Sequence, residues 1–371
     1  MVCWYNFSPH LTWHLNALVN DIKTRPLETL LRPDKAYVQS SDPFAPILVL
    51  CLWFIALTGL LGAVTQEFSW VDRIWSVAPP LYAWLFALHP YIALDTVWPT
   101  TVSECMTRPF LLAGLASLWG LRLTYNFWRK GGYAGGGEDY RWEEIRTWFS
   151  FSTLQLFNVV FIAFFQNILL FLLIAPAYLA WVGRTYHALT LVDVVLASLF
   201  LLLLLVETVA DQQQWVFQRQ KYQALFQRPS RKRRASLRAT TAESPARPPK
   251  NPDTSIPLVT GDIADGFLQS GLFAFSRHPN FWAEMSLWWV FHLFAYPAAG
   301  IHLERRHDWN NFARWPFWAN WTAVGPLLLT LLFQGSTSLT EELSARKYPQ
   351  YRRYQKRVSR LLPWTPKARK D

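Results

Sequence analysis

Apolar residues gather along this chain in runs close to the length an α-helix needs to cross a hydrocarbon layer, about 20 residues. By that measure spans are predicted near 46–66, 75–94, 109–128, 154–182, 188–210, 281–299 and 321–339. Pro79, Pro80 and His89 interrupt the second and Pro297 shortens the sixth. The pattern predicts an all-α fold, a polytopic transmembrane helical bundle of about seven spans. Residues 1–45 read as a peripheral N-terminal segment and 46–227 as helices one to five. Residues 258–371 form a C-terminal region with the last two spans and a basic tail. Between these lies RPSRKRRASLRATTAESPARPPKNPDTSIP, residues 228–257. Rich in Pro, Ser, Thr and Arg, it lacks the apolar area that would offset its ordering entropy and is predicted to be disordered.

Charge refines the picture. The 371 residues carry 36 Lys and Arg against 25 Asp and Glu, and the cations are segregated from the apolar runs. Residues 228–250 hold eight basic residues against one acid, and residues 346–371 hold ten against one. Two predicted spans separate these segments, so both fall on one side, and the positive-inside rule makes it cytosolic. Counting back, the 129–153 loop and the 67–74 turn join them, and the N-terminus falls opposite. Many of the 21 Trp, among them Trp53, Trp70, Trp75, Trp181 and Trp321, sit at the ends of apolar runs, where an amphipathic ring favours the headgroup layer. This composition calls for membrane lipids and a lipophilic small molecule as partners rather than nucleic acid. It fits a multi-pass protein of the endoplasmic reticulum with a cytosolic C-terminus. Oligomeric state is not legible. Cys3, Cys51 and Cys105 form no CxxC and no ligand-spaced cluster, so neither a disulfide framework nor a zinc site is read. No basic segment precedes a cleavable apolar core near the N-terminus, so the first span is the expected targeting signal.

Ionisable residues within or at the ends of spans are costly unless paired or wetted, so each is a candidate for function. Asp72 and Arg73, in SWVDRIWS, are either a helix cap with a snorkelling arginine or an acid at the site. Arg122, Asn126 and Arg129, at i, i+4 and i+7, share one helical stripe suited to phosphate or carboxylate; Arg129 with Lys130 also reads as an ordinary positive-inside anchor, whereas Arg122 lies nearly two turns deeper. The glycines of GGYAGGGEDYRWEEIR follow a helix, not a strand, and lack GxGxxG spacing, so a Rossmann site is not supported. Glu207 and Asp211, in ETVADQQQW, place two carboxylates on one helical face at the expected end of span five, either a plain helix exit or a geometry suited to ribose hydroxyls or a basic partner. In GLFAFSRHPNFWAE, Arg277 and His278 precede Pro279, which fits a helix start, and Asn280 and Glu284 follow one turn apart. Cations at a helix N-terminus make an anion site. Glu341, Glu342, Tyr348, Tyr351 and Tyr354 belong to a polar helix and tail after the last span, either a basic membrane-surface segment or part of a site.

At these residues the chain resembles the family of membrane proteins grouped with the steroid 5-alpha-reductase C-terminal domain. The likeness covers about residues 60–365 without the 228–257 insertion. In steroid reductases a segment related to PNFWAE and neighbouring basic residues hold NADPH, and a hydride passes to an enone. The same superfamily includes isoprenylcysteine carboxyl methyltransferases, whose RHP segment and EE-containing tail contact S-adenosylmethionine. Asn280 and Glu284 follow the reductase pattern, with Ala283 where a Gly is usual. Arg277, His278, Pro279, Glu341 and Glu342 are similar to the methyltransferase pattern. Steroid reductases place a catalytic Tyr three residues ahead of the span-three Arg, and Trp119 occupies that position here. The resemblance therefore implies an NADPH-dependent reductase of a carbon–carbon double bond in a lipophilic substrate. Arg122, Asn126, Arg129, Asp211, Arg277, His278, Asn280 and Tyr348 are its candidate cofactor ligands, with Glu284, Tyr125 or Asp72 polarising or protonating the substrate. S-adenosylmethionine-dependent methyl transfer, with Glu342 on the ribose or amine, is the alternative, and a non-enzymatic lipid-binding protein a third.

The charge count makes a prediction. Tags at residue 240 and at the C-terminus will be protease-accessible from the cytosol while an N-terminal tag is protected; opposite accessibility of the two basic segments would exclude the assigned topology.

Overall fold

A computed structural model describes residues 42–93, 107–134, 138, 141–183, 188–227, 261–298 and 320–366, with a few positions between 16 and 24. The insertion at 228–257 and most of the N-terminal segment lie outside the described residues. Helices account for the ordered secondary structure: α1 (Phe44–Thr65), α2 (Trp70–Trp75), α3 (Ala78–Ala93), α4 (Thr107–Arg129), α5 (Arg141–Trp148), α6 (Phe151–Val182), α7 (Leu191–Gln227), α8 (Gly261–Asp265), α9 (Pro279–Leu293), α10 (Ala295–Ala298), α11 (Val324–Lys347) and α12 (Tyr351–Arg357). Among the described residues there is no strand, only a bridge between Ser276 and Ser359.

Four segments are long and apolar enough to cross a membrane: Phe44–Thr65, Phe151–Val182, Leu191–Ala224 and Trp321–Lys347. The expected seven are not all reached on this measure. Helices α3 and α9 have 16 and 15 residues, about 24 and 22 Å at 1.5 Å per residue, short of a 30 Å hydrocarbon core. Helix α4 has the length, 23 residues, but carries Arg108, Arg122, Asn126 and Arg129. Helix α7 departs from expectation in the other direction. Its 37 residues continue well past residue 210, because DQQQWVFQRQKYQ contains good helix formers and nothing that stops a helix before Pro229. Glu207 and Asp211 thus lie inside a continuous helix rather than at its exit.

The chain divides into two compact units. The larger comprises Met1–Leu204 and Glu284–Ser336. Here α3 packs on α4, and α1 packs on the middle of α6. That middle, Asn158–Phe165, is a π-helical stretch, whose inserted residue re-aims side chains. Two amides use the change: Asn158 Nδ2 donates to the Gly59 carbonyl at 3.1 Å, and Asn167 Nδ2 donates to Thr58 Oγ1 at 3.1 Å. Both bind α6 to α1 where water cannot serve either chain.

A buried ion pair fastens the start of α4 to the start of α7. Arg108 donates from Nε to Asp193 Oδ1 and from Nη2 to Asp193 Oδ2, both at 2.8 Å, and from Nη2 to the Ala188 carbonyl at 2.7 Å. Asp193 also accepts from the Thr190 backbone N–H at 2.8 Å, a capping-box contact that starts α7. Both side chains are at most 1 % exposed. Removing one partner strands a buried charge, so Arg108→Met alone should cost about 3–5 kcal/mol, whereas the double variant Arg108→Met/Asp193→Leu should lose much less. Chemical denaturation in detergent, run as a double-mutant cycle, reads the difference.

Candidate functional site

In the smaller unit, Leu205–Ala283 with Thr337–Asp371, the segment before α9 meets the end of α11 and the tail through one arginine. Arg277 Nε donates to Glu341 Oε1 at 2.6 Å and Nη2 to Glu341 Oε2 at 3.0 Å. Its Nη1 donates to the carbonyls of Gln355 and Val358 at 2.8 and 2.5 Å. The fork and the two carbonyls at the end of α12 use the planar geometry that only a guanidinium offers. His278 Nε2 lies 3.0 Å from the same Glu341 Oε1, and Gln355 Nε2 donates to Oε2 at 3.1 Å. The backbone completes the joint, with the Arg277 N–H donating to the Ser359 carbonyl at 2.8 Å and the Trp364 N–H to the Phe275 carbonyl at 3.0 Å.

Beneath this joint α12 turns Tyr351 and Tyr354 inward against Phe267, Ala345 and Val358. The Tyr354 hydroxyl donates to the Phe273 carbonyl at 2.5 Å. Burial, reinforced by neighbouring Tyr351, pushes that phenol above its ordinary pKa, so it stays a donor. Tyr348 is fixed differently: Lys221 Nζ donates to its hydroxyl at 2.7 Å and to the Gly266 carbonyl at 2.6 Å. Gly266 takes φ +87°, ending α8, with the Tyr348 ring where a Cβ would stand.

Asp211 and Asn280 are brought together, Asn280 Nδ2 donating to Asp211 Oδ1 at 3.2 Å. The next residues of α7 border a cleft of about 560 Å³ that includes Gln212, Gln213, Phe217, Gln220, Asp262 and Gly271. Gly271 adopts φ +63° and abuts the Gln213 carboxamide, whose Oε1 accepts from the Leu272 N–H at 3.0 Å. The cleft is amphipathic and within the size range of small-molecule sites. Arg277, His278 and Glu341 are not among its walls.

In the larger unit Glu284 is 5 % exposed and faces only N–H donors. Trp119 Nε1 lies 3.0 Å from both carboxylate oxygens, Trp288 Nε1 donates to Oε1 at 3.0 Å, and Arg122 Nη2 donates to Oε2 at 3.3 Å. The two indoles meet edge to face at 4.8 Å. Arg122 is thus turned to a carboxylate of its own unit. Of its stripe, Asn126 is buried, and Arg129 stands 5.3 Å over the ring of Tyr125, which is 55 % exposed. Asp72 is half-buried in the first turn of α2. The glycine-rich loop serves the fold at Glu138, which accepts from the Phe68 N–H at 2.9 Å and pairs with Arg146.

The family model described as "Protein of unknown function (DUF1295)" matches residues 59–358. The chain belongs to this family, the steroid 5-alpha-reductase-like family. A relative in Schizosaccharomyces pombe, "Uncharacterized protein C594.04c", is 33 % identical over 335 residues, which cover 88 % of this chain and 81 % of the relative. No solved structure matches the chain. The family match encloses both polar clusters, so Arg277–Glu341 and Glu284–Trp119 are features of the matched region.

Sequence reasoning passed over Lys221 and Gln355. Neither belongs to a motif, and the i+4 spacing of Tyr351 and Gln355 on a tail helix gave the weakest of hints. Position 119, singled out as a departure from the reductases, proves to be a Glu284 ligand. For the Arg277 joint, Arg277→Lys should behave almost as badly as Arg277→Met. An ammonium cannot reproduce the fork and both carbonyl bonds, and a loss of about 3–5 kcal/mol is expected for a broken buried pair. Faster amide exchange across 351–357, with exchange in α1 unchanged, is the expected signature.

Proposed function

We propose that the protein is a membrane-embedded, NADPH-dependent reductase of a carbon–carbon double bond in a lipophilic, enone-like substrate, working at the cytosolic leaflet of the endoplasmic reticulum. The supporting observation is how the two family patterns are placed. Asn280 and Glu284, the residues of the reductase pattern, are each held by polar partners, Asp211 for the first and two indoles with Arg122 for the second. Glu342, which methyl transfer requires as a ligand for a cationic cofactor, is 52 % exposed and paired with Arg346 one turn along. Arg277, His278 and Glu341 of the methyltransferase pattern are held by polar partners as well, so the exposed Glu342 is what separates the two patterns.

The donor set of the smaller unit fits a dinucleotide. Asp211, one residue before the cleft wall at Gln212, offers a carboxylate to ribose hydroxyls and Asn280 a carboxamide; Tyr348 and His278, held by Lys221 and Glu341, are the further polar candidates of this unit. NADPH would supply the hydride. In this reading Arg277 acts indirectly, holding the tail that carries Tyr348, Tyr351 and Tyr354. In the larger unit Arg129 and Asn126 remain candidates for anion contact, and Arg122 with Trp119 and Trp288 orients Glu284. An indole N–H donates but does not release its proton at ordinary pH, so Trp119 cannot do the work of a catalytic Tyr. Glu284, which only accepts, is assigned to orientation, and Tyr125, a phenol on an exposed side chain, is assigned as the acid that protonates the second carbon. Asp72 is the reserve for that step.

A ligand that binds only the folded state raises stability by RT ln(1 + [L]/Kd), about 2.7 kcal/mol at a hundredfold excess over Kd. NADPH should therefore raise the melting temperature of detergent-purified protein and S-adenosylmethionine should not. Asn280→Ala should weaken NADPH binding on the order of tenfold, the value of one hydrogen bond at the upper end of the usual range, and Glu342→Gln should leave it unchanged. A shift with S-adenosylmethionine alone, abolished by Glu342→Gln, would replace this reading with methyl transfer.

A further inference from the structure

Helix α12 and the residues after it leave a surface that the cofactor reading does not use. Because Tyr351 and Tyr354 face inward, the opposite side of the helix presents Arg352, Arg353 and Lys356, all exposed. The chain then pairs with the segment before α9 through the Ser276–Ser359 bridge and the Trp364–Phe275 hydrogen bond. That pairing sets Trp364 beside Phe275, and both are open, at 73 % and 47 %, with Leu362 at 68 %. Three large exposed apolar side chains thus belong to the same paired segments, within a few residues of a row of exposed cations along the tail.

The place of α12 along the chain selects the occupant. The candidate span Trp321–Lys347 has 27 residues, about 40 Å as a helix, against a hydrocarbon core of about 30 Å and a full bilayer of about 40–45 Å. Placed with Trp321, an interface-favouring residue, at one headgroup layer, the helix brings Lys347 to the other. Helix α12 begins at Tyr351, within about 14 Å of that point even if the connection were fully extended. Tryptophan prefers the headgroup level, and basic clusters next to a span attract anionic lipid. We propose that Arg352, Arg353 and Lys356 with Phe275, Leu362 and Trp364 form a docking surface for the anionic headgroups of the leaflet into which α11 emerges. The apolar trio enters the interface and the cations engage lipid phosphates and carboxylates. Because the same tail residues Gln355 and Val358 accept from Arg277, lipid docking would also steady that joint.

The test uses the full-length protein in nanodiscs of phosphatidylcholine, with or without phosphatidylserine. With the photo-crosslinker p-benzoylphenylalanine in place of Trp364, irradiation should give a lipid adduct detected by mass spectrometry. Phosphatidylserine should slow amide exchange across 351–364 at least threefold. Arg352→Gln/Arg353→Gln/Lys356→Gln should remove that slowing while exchange in α1 and α6 stays unchanged, which verifies that the variant is folded. An adduct to protein instead of lipid, no adduct at all, or a phosphatidylserine effect that survives in the triple variant would each overturn the proposal.

Discussion

A guanidinium and a carboxylate withdrawn from water are costly separately, and the smaller unit is organised around making that pairing complete. Arg277 satisfies both oxygens of Glu341 and the carbonyls of Gln355 and Val358. Those four bonds fix the segment before α9, the end of α11 and the tail to one another. The hydrophobic contacts of Phe267, Tyr351, Tyr354 and Val358 supply area, which is non-directional; the arginine supplies register. Charged pairs of this kind are weak arguments for net stability; what this one contributes is direction, since its bonds reach three separate segments.

The environment of Glu284 follows a different logic with the same economy of water. Its donors are two indoles and one guanidinium, so the carboxylate is held by aromatic side chains that also fill space. Where a phenol would both hydrogen-bond and exchange a proton, Trp119 keeps the first property and gives up the second. Trp119 thus differs from the steroid-reductase pattern while still holding Glu284, and the acid for the proposed chemistry must come from another side chain.

Helix length decides much of the remaining architecture. A 37-residue α7 is about 55 Å long, more than a bilayer requires, and its polar half carries Asp211, which accepts from Asn280, Gln212 and Phe217, which line the cleft, Gln213, which abuts Gly271, and Lys221, which holds Tyr348. The apolar half carries exposed Leu and Val, among them Val194, Val195, Leu202 and Leu205, in the ordinary way of a span, with Phe200 buried. One continuous helix therefore serves two solvents, and the transition falls near Glu207, where the apolar run ends.

The sequence by itself determined the helical class, the membrane character, the start of α9 at Pro279 and the shared stripe of Arg122, Asn126 and Arg129, because hydropathy, helical periodicity and the proline constraint on φ are all local. It also brought the family into view through residues whose spacing is local, 277–284 and 341–354. Only the tertiary structure decided what each polar side chain faces. Arg122 and Arg277 looked alike in sequence as cations for an external anion, yet each meets a carboxylate 162 and 64 residues away along the chain. Glu341 and Glu342 are adjacent, and a rotation of 100° about the helix axis buries one against Arg277 and leaves the other exposed beside Arg346. Lys221 gained its partners from a helix that outran its apolar run. Such outcomes depend on which elements pack together, and a pattern with a period of 3.6 residues fixes the faces of a helix but not the neighbour each face will meet.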